Sequence, residues 1–364
     1  MRSPDIERVR ANAYKVATPA PEGDGTLEWD STTIVVVRVD AGTVSGVGWT
    51  YADASCVPLI EGKLASTIAG KPLVDVPACW TAMQRAIRNL GRAGLVSCAL
   101  SAVDVALWDA AARWLDLPVS RLLGRVHERV DVYGSGGFTT LSEPELADQL
   151  EGWVRRQQIP RVKIKIGESW GSETARDLDR IMLAREVIGD DAALYVDANG
   201  AYTIGQANRL LGPLRAADVT WFEEPVSSDD LAGLGQLRSP GGPDIAAGEY
   251  GYDLPYFARM LPVVDCLQID VTRCGGFTEW RRAAALAAAA NREVSAHCAP
   301  NLSAHAGVAT PNFRHIEWFA DHDRIEKLFF DGCLDPAGGT VSPSLSAPGH
   351  GLTLRADVAA EYSV

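Results

Sequence analysis

The sequence predicts an α/β fold in which an N-terminal α+β unit precedes a TIM-type barrel. From about residue 130 onward, eight short runs of β-branched residues alternate with longer helical patterns, at a spacing of roughly 20 to 32 residues. That spacing is the length of one strand-plus-helix unit. Before residue 130, strand-like runs come first and helical patterns follow them, which is typical of a separate α+β unit.

The N-terminal unit is expected to contain a β-hairpin. Residues 31–40 (STTIVVVRVD) are rich in β-branched residues, and a second strand-like run follows at 41–51. Helical patterns come next, at residues 57–69, 76–92 and 95–116. We expect this unit to span residues 1–125.

The eight barrel strands are predicted directly from the β-branched runs. They are VDVY (130–133), RVKIKI (161–166), AALYVD (192–197), VTWFE (219–223), DIAAGE (244–249), CLQID (266–270), EVSAH (293–297) and HIEWF (315–319). An open doubly wound sheet is the alternative, but the glycine-rich phosphate turn expected after its first strand is missing. We therefore expect a closed barrel over 126–334, with a Pro- and Gly-rich tail at 335–364 that returns to the N-terminal unit.

Composition argues against several classes of partner. The net charge is −13 without clustered Lys and Arg, which disfavours a nucleic-acid-binding surface. The longest apolar stretch is taken to be AAALAAAA, too short to cross a membrane, and no signal peptide is visible at the N-terminus. The seven cysteines are scattered and never form C-x-x-C. We expect reduced thiols in a cytoplasmic protein, without a disulfide framework or a zinc site.

Ionisable residues stand at one end of seven of the eight predicted strands. The active sites of TIM barrels lie at the carboxyl ends of the strands. Asp197, Glu223 and Glu249 end three consecutive strands, and three converging carboxylates repel one another unless a cation lies between them. An all-oxygen set suits Mg²⁺, with Mn²⁺ as a substitute. The alternative is that each carboxylate caps the helix after its strand.

Two lysines lie two residues apart on the second predicted strand. Lys163 and Lys165 therefore point to the same face, with Val162, Ile164 and Ile166 on the other. Adjacent ammonium groups lower each other's pKa, which would let one of them act as a general base near neutral pH. A solvated basic strand edge is the alternative.

The last three barrel strands supply a second group of candidates. Asp270 and His297 end neighbouring strands, so the carboxylate would fix the imidazole tautomer and raise its proton affinity, as suits acid–base chemistry. This pair would face the lysines across the barrel. Glu317, on the eighth strand, would donate a hydrogen bond to a substrate carboxylate if protonated, or would form a salt bridge within the barrel.

Seven motifs spread across the barrel half, together with the helix at 101–124, carry a family resemblance. The motifs are VKIKIG (162–167), VDANG (196–200), WFEEP (221–225), AAGE (246–249), QIDVTRCGG (268–276), SAHCAPN (295–301) and HIEWF (315–319). Together they resemble the enolase superfamily, specifically its mandelate racemase subgroup, and the resemblance covers essentially the whole chain.

The resemblance implies a (β/α)7β barrel with an N-terminal α+β capping domain, and a homo-oligomer. It implies a small-molecule carboxylate as the substrate and Mg²⁺ as the cofactor. It implies that Asp197, Glu223 and Glu249 bind Mg²⁺, with Glu224 behind them. Proton transfer is implied for Lys165, which has Lys163 beside it, and for His297, which is paired with Asp270. Glu317 would form a hydrogen bond to the substrate, and Asn199 would contact the substrate or the surroundings of the metal.

The implied reaction removes the proton next to a carboxylate and leaves an enediolate. We expect dehydration of an acid sugar, an aldonate or aldarate, to a 2-keto-3-deoxy acid. The alternative is a racemase or epimerase of a 2-hydroxy acid such as mandelate, and cycloisomerisation is less favoured because it does not require a His–Asp pair. Substrate determinants are expected in loops at about 14–30 and 50–56, where the scarcity of cations favours a monocarboxylate, although Trp29 and Trp49 would suit an aromatic substrate.

Three other classes fit the residues less well. A Schiff-base aldolase would use Lys163 or Lys165 as its nucleophile but has no need of three carboxylates. A zinc hydrolase needs several strand-end histidines, and only His297 is available. A non-catalytic barrel would have lost some of the ligands, and none is missing.

Overall fold

The N-terminal part of the chain is an antiparallel three-stranded sheet covered by helices. The computed structural model describes residues 3–364. The sheet contains β1 (Arg8–Gly23), β2 (Glu28–Ala41) and β3 (Val44–Tyr51), paired in that order. The helices are α1 (Cys56–Leu59), continued through a π-helical turn (Ile60–Leu64) into α2 (Ala65–Ile68), then α3 (Val76–Ala86), α4 (Leu95–Trp114) and α5 (Val119–Leu122).

Strand β1 is the element of this unit that the sequence did not predict. The expected hairpin is present as β2 and β3, but residues 14–30 are not a loop, because β1 pairs with β2 over most of its length. Pro19 and Pro21 disguise β1 in the sequence. They are tolerated because β1 is an edge strand and because its register shifts between Ala17 and Glu22.

Helix α4 is the most apolar helix of the protein and lies in its core. Its 18-residue apolar window has a mean hydropathy of 1.5 and is 89% buried, so the long apolar segment is α4 and not AAALAAAA. Two glycines of β3 let the helix approach closely. A Cβ on Gly46 would lie 2.2 Å from the carbonyl oxygen of Ala106, and one on Gly48 would lie 2.4 Å from that of Ala102. Length and composition alone would let α4 cross a membrane, but here it is a packed core helix.

The second part of the chain confirms the predicted TIM-type barrel with its N-terminal cap. Eight parallel strands follow one another around the ring, and the last pairs with the first. They are β4 (Val130–Ser135), β5 (Arg161–Lys165), β6 (Ala193–Asp197), β7 (Val219–Glu223), β8 (Asp244–Ala247), β9 (Cys266–Ile269), β10 (Glu293–Ala296) and β11 (Phe313–Phe319). Their ends differ from the predicted ones by at most two residues.

Helices connect the barrel strands and surround them. They are α6 (Glu143–Glu151), α7 (Glu168–Gly171), α8 (Thr174–Ile188), α9 (Ile204–Ala216), α10 (Leu231–Leu237), α11 (Leu254–Met260), α12 (Gly276–Ala289), α13 (Pro300–Val308) and, after the last strand, α14 (Ala320–Phe329). Contacts between α4 and α12 join the N-terminal unit to the barrel.

The C-terminal tail contacts both parts of the molecule. Its short elements are β12 (Phe330–Asp331), β13 (Thr340–Val341), β14 (Thr353–Leu354) and α15 (Ala356–Ala360). Strand β13 pairs with β4 of the barrel. On the other side, the backbone N–H of Lys15 donates to the carbonyl of Tyr362, and the backbone N–H of His350 donates to the buried carboxylate of Asp109 on α4.

Candidate active site

The structure brings the predicted catalytic and metal-binding residues together at the carboxyl end of the barrel. They are Lys163 and Lys165 on β5, Asp197 on β6, Glu223 on β7, Glu249 after β8, Asp270 after β9, His297 after β10 and Glu317 on β11. All eight side chains are buried. Lys165, Glu249, His297 and Glu317 line a cavity of about 450 Å³. The closed barrel explains this convergence, because the carboxyl ends of its parallel strands all lie at the same opening.

The three carboxylates form a cluster whose oxygens fit a divalent cation. One oxygen each from Asp197, Glu223 and Glu249 can lie within 4.8 Å of the others. Glu249 Oε2 accepts no hydrogen bond from the described residues, although it is buried. A buried carboxylate oxygen in this state is costly unless a cation satisfies it. An all-oxygen donor set is the kind that Mg²⁺ takes.

The alternative role of these carboxylates as helix caps is not observed. The helices that follow the three strands are capped by other side chains: Thr203 for α9, Asp230 for α10 and Asp253 for α11. The strand-end carboxylates are therefore not needed as helix caps and can serve as ligands for a cation.

Asn199 supports the carboxylate cluster through its backbone. Its N–H donates to Asp197 Oδ1 at 2.9 Å, in a left-handed conformation with φ of +46°. Its side chain lines the cavity, and its buried Oδ1 has no partner among the described residues. Both its position and its unpaired amide oxygen are compatible with the predicted substrate or metal-side contact.

The two lysines are ion-paired with the carboxylates, not exposed at a strand edge. Lys163 Nζ donates to both oxygens of Glu223, at 2.8 and 2.7 Å. Lys165 Nζ donates to Asp197 Oδ2 at 2.5 Å. Burial is the largest single influence and lowers the pKa of each ammonium group, but the surrounding carboxylates, led by Glu223 for Lys163 and by Asp197 for Lys165, together raise the pKa above its usual value.

The expectation that the two lysines have lowered pKa values is therefore wrong for this arrangement. Lys163 does lower the pKa of Lys165, as predicted, but Asp197 has the larger, opposite effect. The opposing charges belong to β6 and β7, so their influence depends on strand pairing and not on the K-x-K spacing.

His297 is oriented by a short hydrogen-bonded chain. Asp270 Oδ2 lies 2.7 Å from His297 Nδ1, and Asp270 Oδ1 accepts from the backbone N–H and hydroxyl of Thr272. This leaves Nε2 on the cavity side, 3.3 Å from Glu249 Oε2. Burial lowers the pKa of His297, but Glu249 and Glu317 outweigh it and hold the pKa above its usual value. The predicted Asp–His pair is thus present with the geometry expected of an acid–base group.

Glu317 forms the salt bridge that the sequence left as its alternative role. Its Oε1 accepts from Ser135 Oγ at 2.6 Å and lies 2.7 Å from Lys163 Nζ. Burial raises the pKa of Glu317, but Lys163 and His297 outweigh burial and hold the pKa well below its usual value. A lowered pKa favours the ionised carboxylate and its salt bridge over the protonated donor.

Arg273 is a site residue that the sequence reasoning missed. Its Nη1 lies 3.0 Å from Glu249 Oε1, and its Nε lies 3.4 Å from Asp270 Oδ2. It thereby links the carboxylate cluster to the Asp–His pair. The signal was available, because Arg273 belongs to the QIDVTRCGG motif three residues after Asp270.

Cys298 was also missed, because scattered cysteines are usually inert. Its Sγ lies 3.3 Å from His297 Nε2 and 3.5 Å from Glu317 Oε2. The left-handed backbone at this position, with φ of +50°, lets two successive side chains meet in the cavity, where an extended strand would point them apart.

The N-terminal sheet forms the roof of the cavity with the turn between β1 and β2. Asp24 Oδ1 accepts from the backbone N–H groups of Thr26 and Leu27, which closes the turn. The carbonyl of Gly25 accepts from the backbone N–H of Trp170, and that of Asp24 accepts from Thr139 Oγ1. The turn is thus attached to barrel loops.

The two tryptophans proposed as substrate contacts differ in position. Trp29 lines the cavity and packs edge-on against Phe138. Trp49 is fully buried in the cap, where it stacks on Phe330 and donates to Glu326 Oε1. Trp49 is therefore a core residue and not a substrate contact.

Polar and acidic side chains cover the rest of the cavity wall. They include Ser31, Thr32 and Thr33 of β2, together with Asp24, Asp53 and Asp321. Thr32 Oγ1 donates to Asp321 Oδ2 at 2.5 Å. Among the described lining residues, the Lys and Arg side chains are Lys165 and Arg273, and both are already paired with carboxylates.

Both parts of the chain match models of one protein family. Residues 8–124 match the N-terminal domain of the mandelate racemase / muconate lactonizing enzyme family, and residues 145–358 match the enolase C-terminal domain-like family. This chain belongs to the enolase superfamily, in its mandelate racemase subgroup. The predicted family and fold are confirmed.

Relatives within the superfamily carry out more than one reaction. The chain is 30% identical to a 3,6-anhydro-α-L-galactonate cycloisomerase of Streptomyces coelicolor, over 96% of this chain and 97% of the relative. It is 31% identical to an L-rhamnonate dehydratase of Saccharopolyspora erythraea, over 90% and 84%. At these identities the family is established, and the individual reaction is not.

Solved structures of the superfamily have the same architecture. A mandelate racemase/muconate lactonizing enzyme-like protein from Rubrobacter xylanophilus is 48% identical, with a TM-score of 0.96 over 99% of this chain and 100% of that chain. A racemase from Streptomyces coelicolor A3(2), 28% identical, has a TM-score of 0.91 over 99% and 100%, and its structure contains magnesium. The cofactor predicted from the three carboxylates thus occurs in this superfamily.

Proposed function

We propose that this chain is a Mg²⁺-dependent acid-sugar dehydratase that converts an aldonate to a 2-keto-3-deoxy acid through an enediolate. The observation that carries the proposal is that Lys165, His297 and Glu249 line one cavity, and that Asp197 and Glu223 place carboxylate oxygens within 4.8 Å of Glu249. A proton next to a carboxylate is weakly acidic, and its removal leaves a dianion, so the reaction needs a base and concentrated positive charge together.

Asp197, Glu223 and Glu249 would hold the magnesium ion. When bound, Mg²⁺ would supply charge for the substrate carboxylate and for the cluster that now pairs with the lysines. Lys163 lies between Glu223 and Glu317, so it would hold these carboxylates in place and keep a positive charge next to Lys165.

Lys165 and His297 would act on the substrate from two strands on different sides of the ring. Lys165 would take the α-proton as the neutral amine, because a cation bound to Asp197 would offset the negative charge that raises the pKa of this lysine. His297, protonated on Nε2, would give its proton to the β-hydroxyl as the C–O bond breaks, so that water leaves. The remaining enol then becomes the 2-keto-3-deoxy acid by gaining a proton at the β-carbon and losing the proton of its enol hydroxyl. Asp270 favours this role because it stabilises the imidazolium and fixes its orientation.

The cavity wall favours a substrate with one carboxylate and several hydroxyl groups. Hydroxyls of the wall can donate hydrogen bonds to a polyol chain and accept them from it, and the carboxylates can accept hydrogen bonds from its hydroxyl groups. Asp24, Asp53 and Asp321 would repel a second carboxylate at the far end of the substrate, and Arg273 is already held by Glu249. This favours an aldonate over an aldarate.

Cycloisomerisation is the second candidate, favoured by similarity to a cycloisomerase over nearly the whole chain. The chemistry differs in one respect. If the β-oxygen belongs to a ring, the same elimination opens the ring, the oxygen stays attached and takes the proton from His297, and the product is an isomer without loss of water. Racemisation, the alternative from the sequence, would need only return of a proton to the α-carbon from the opposite side.

One experiment separates these reactions. The protein with Mg²⁺ in D₂O would be incubated with aldonates, aldarates, anhydro-aldonates and 2-hydroxy acids, and the α-proton followed by NMR. Loss of water with a 2-keto-3-deoxy product identifies a dehydratase, and an isomeric keto acid identifies a cycloisomerase. Deuterium at the α-carbon without net conversion identifies a racemase or epimerase. Activity that survives EDTA, Lys165→Ala and His297→Asn would contradict the proposal.

We also propose that the enzyme works in the cytoplasm. All seven cysteines are free, and six of them are buried, which is compatible with a reducing compartment. Cell fractionation would test the location. The homo-oligomer implied by the family resemblance stays a prediction, and light scattering of the purified protein would test it.

A further inference from the structure

Three side chains with different donor atoms meet at one wall of the cavity. His297 Nε2 lies 3.3 Å from Cys298 Sγ and 3.7 Å from Glu317 Oε2, and Cys298 Sγ lies 3.5 Å from Glu317 Oε2. All three residues are buried and line the cavity. A nitrogen, sulfur and oxygen set does not suit Mg²⁺, which prefers oxygen, but it suits zinc and similar cations.

The separations between the donor atoms match a tetrahedral zinc ion. Zinc binds imidazole nitrogen at about 2.0–2.1 Å, thiolate sulfur at about 2.3 Å and carboxylate oxygen at about 2.0–2.2 Å. Tetrahedral angles then place the donor atoms about 3.4 to 3.6 Å apart. The observed separations of 3.3, 3.5 and 3.7 Å bracket this range, so little rearrangement is required.

Each donor atom differs from the atom that anchors its side chain. His297 is bonded to Asp270 through Nδ1, and its Nε2 faces Cys298 and lies 3.3 Å from Glu249 Oε2. Glu317 uses Oε1 for Lys163, and its Oε2 faces Cys298, where it accepts a hydrogen bond from the backbone N–H of that residue at 3.2 Å. A carboxylate behind a histidine is the usual support of a zinc-binding imidazole. One thiolate and one carboxylate would balance the charge of Zn²⁺.

We propose that the cavity contains a second cation site, for zinc or another thiophilic divalent cation, formed by His297, Cys298 and Glu317. On binding, the Cys298 thiol loses its proton to solvent and the cavity provides the fourth position. Zinc in this site would occupy His297 Nε2 and Glu317 Oε2, so it would inhibit a reaction that uses them. Magnesium does not compete for the thiolate.

Metal binding to the Mg²⁺-loaded full-length chain tests this proposal directly. With Mg²⁺ in excess, Co²⁺ is added as a spectroscopic probe and Zn²⁺ as a competitor. We expect a thiolate-to-cobalt charge-transfer band that saturates at one Co²⁺ per chain and disappears on zinc addition. Cys298→Ser should abolish the band and weaken zinc binding by at least about 100-fold, since even groups that only support a ligand contribute about 10- to 100-fold. Cys333→Ser, at a half-buried thiol outside the cavity, is the matched control.

A second measurement does not depend on whether the Cys298→Ser variant folds normally. In the unaltered chain, Zn²⁺ with excess Mg²⁺ should protect Cys298 from iodoacetamide, as read by peptide mass spectrometry. A cobalt band that persists in Cys298→Ser, zinc binding that excess Mg²⁺ abolishes, or alkylation unaffected by zinc would each overturn the proposal. These measurements report metal binding and not turnover, so their results do not depend on whether the chain is a dehydratase.

Discussion

At the scale of single residues, the position of Lys165 in the cavity makes it the critical base. Replacing it with Met removes the proton acceptor but keeps the length of the side chain. We expect the rate of α-proton exchange to fall by about 10² to 10⁴, the usual contribution of a general base. NMR in D₂O measures this rate. Lys63→Met, at an exposed helical position, is the matched control, and equal losses in both variants would contradict the role of Lys165.

Arg273 should tune the pKa of His297. Glu249 and Glu317 raise that pKa, whereas Arg273 lowers it. In the metal-free protein, Arg273→Gln should therefore raise the pKa of His297, since it removes a positive charge next to the imidazole. Arg273→Lys keeps the charge and should change it less. NMR titration of the imidazole measures the shift, with Arg282→Gln, at an exposed position of α12, as the control. A lower pKa in Arg273→Gln would refute this electrostatic account.

The identity of the site residues was predictable from sequence, but their charge states were not. Strand-end positions are visible in a chain, because each predicted strand ends at a defined residue. The partners of Lys165 and Glu317 stand on other strands, so the raised pKa of the lysine and the lowered pKa of the glutamate depend on distances of 2.5 and 2.7 Å, which the spacing of residues in the sequence does not determine.

At the scale of elements, the β1–β2 turn is the contact that closes the cavity. A Cβ on Gly25 would lie 2.7 Å from the carbonyl oxygens of both Ala198 and Ile166, which are backbone atoms that cannot move aside cheaply. Gly25→Ala should lift the turn away from the barrel and lower kcat/KM by about 10- to 100-fold, the expected cost of a small displacement near the substrate.

The matched control for this substitution is Gly62→Ala. Gly62 lies at an exposed position of the π-helical turn before α2, and a Cβ there would meet no atom within 4 Å. Alanine at such a position should be neutral or slightly stabilising. Thermal melts of both variants would show whether Gly25→Ala acts on the cavity or on overall stability. Normal catalysis in Gly25→Ala would show that the turn is not required to close the cavity.

The eight barrel strands were predicted from the sequence, whereas strand β1 was not. Parallel barrel strands are buried on both faces, so they stand out as β-branched runs, and all eight were found. Strand β1 is an edge strand with Pro19 and Pro21 and few β-branched residues, so its sequence resembles a loop. Edge position, which permits these prolines, is a property of the sheet and not of the segment.

At the scale of the whole molecule, chemistry and recognition come from different halves of the chain. The barrel supplies the ionisable groups of the cavity floor, while β2 supplies Trp29, Ser31, Thr32 and Thr33 to its wall and the β1–β2 turn supplies Asp24 and Leu27. The reaction type can therefore be argued from the barrel strands alone, whereas the substrate depends on how the N-terminal unit sits on the barrel. This is why the sequence predicts proton abstraction more firmly than it predicts a substrate.

Removal of the metal should lower the stability of the whole molecule without unfolding it. Lys163 and Lys165 already neutralise part of the carboxylate cluster, so the metal-free chain has no uncompensated triad of charges. Mg²⁺ at 100 times its Kd should then add about 2.7 kcal/mol to the free energy of unfolding, because it binds only the folded chain. Thermal melts with EDTA and with increasing Mg²⁺ measure this.

Asp197→Asn should abolish the Mg²⁺-dependent rise in Tm, whereas Asp191→Asn, at an exposed loop position, should retain it. A chain that unfolds on addition of EDTA would mean that the lysines do not compensate the cluster.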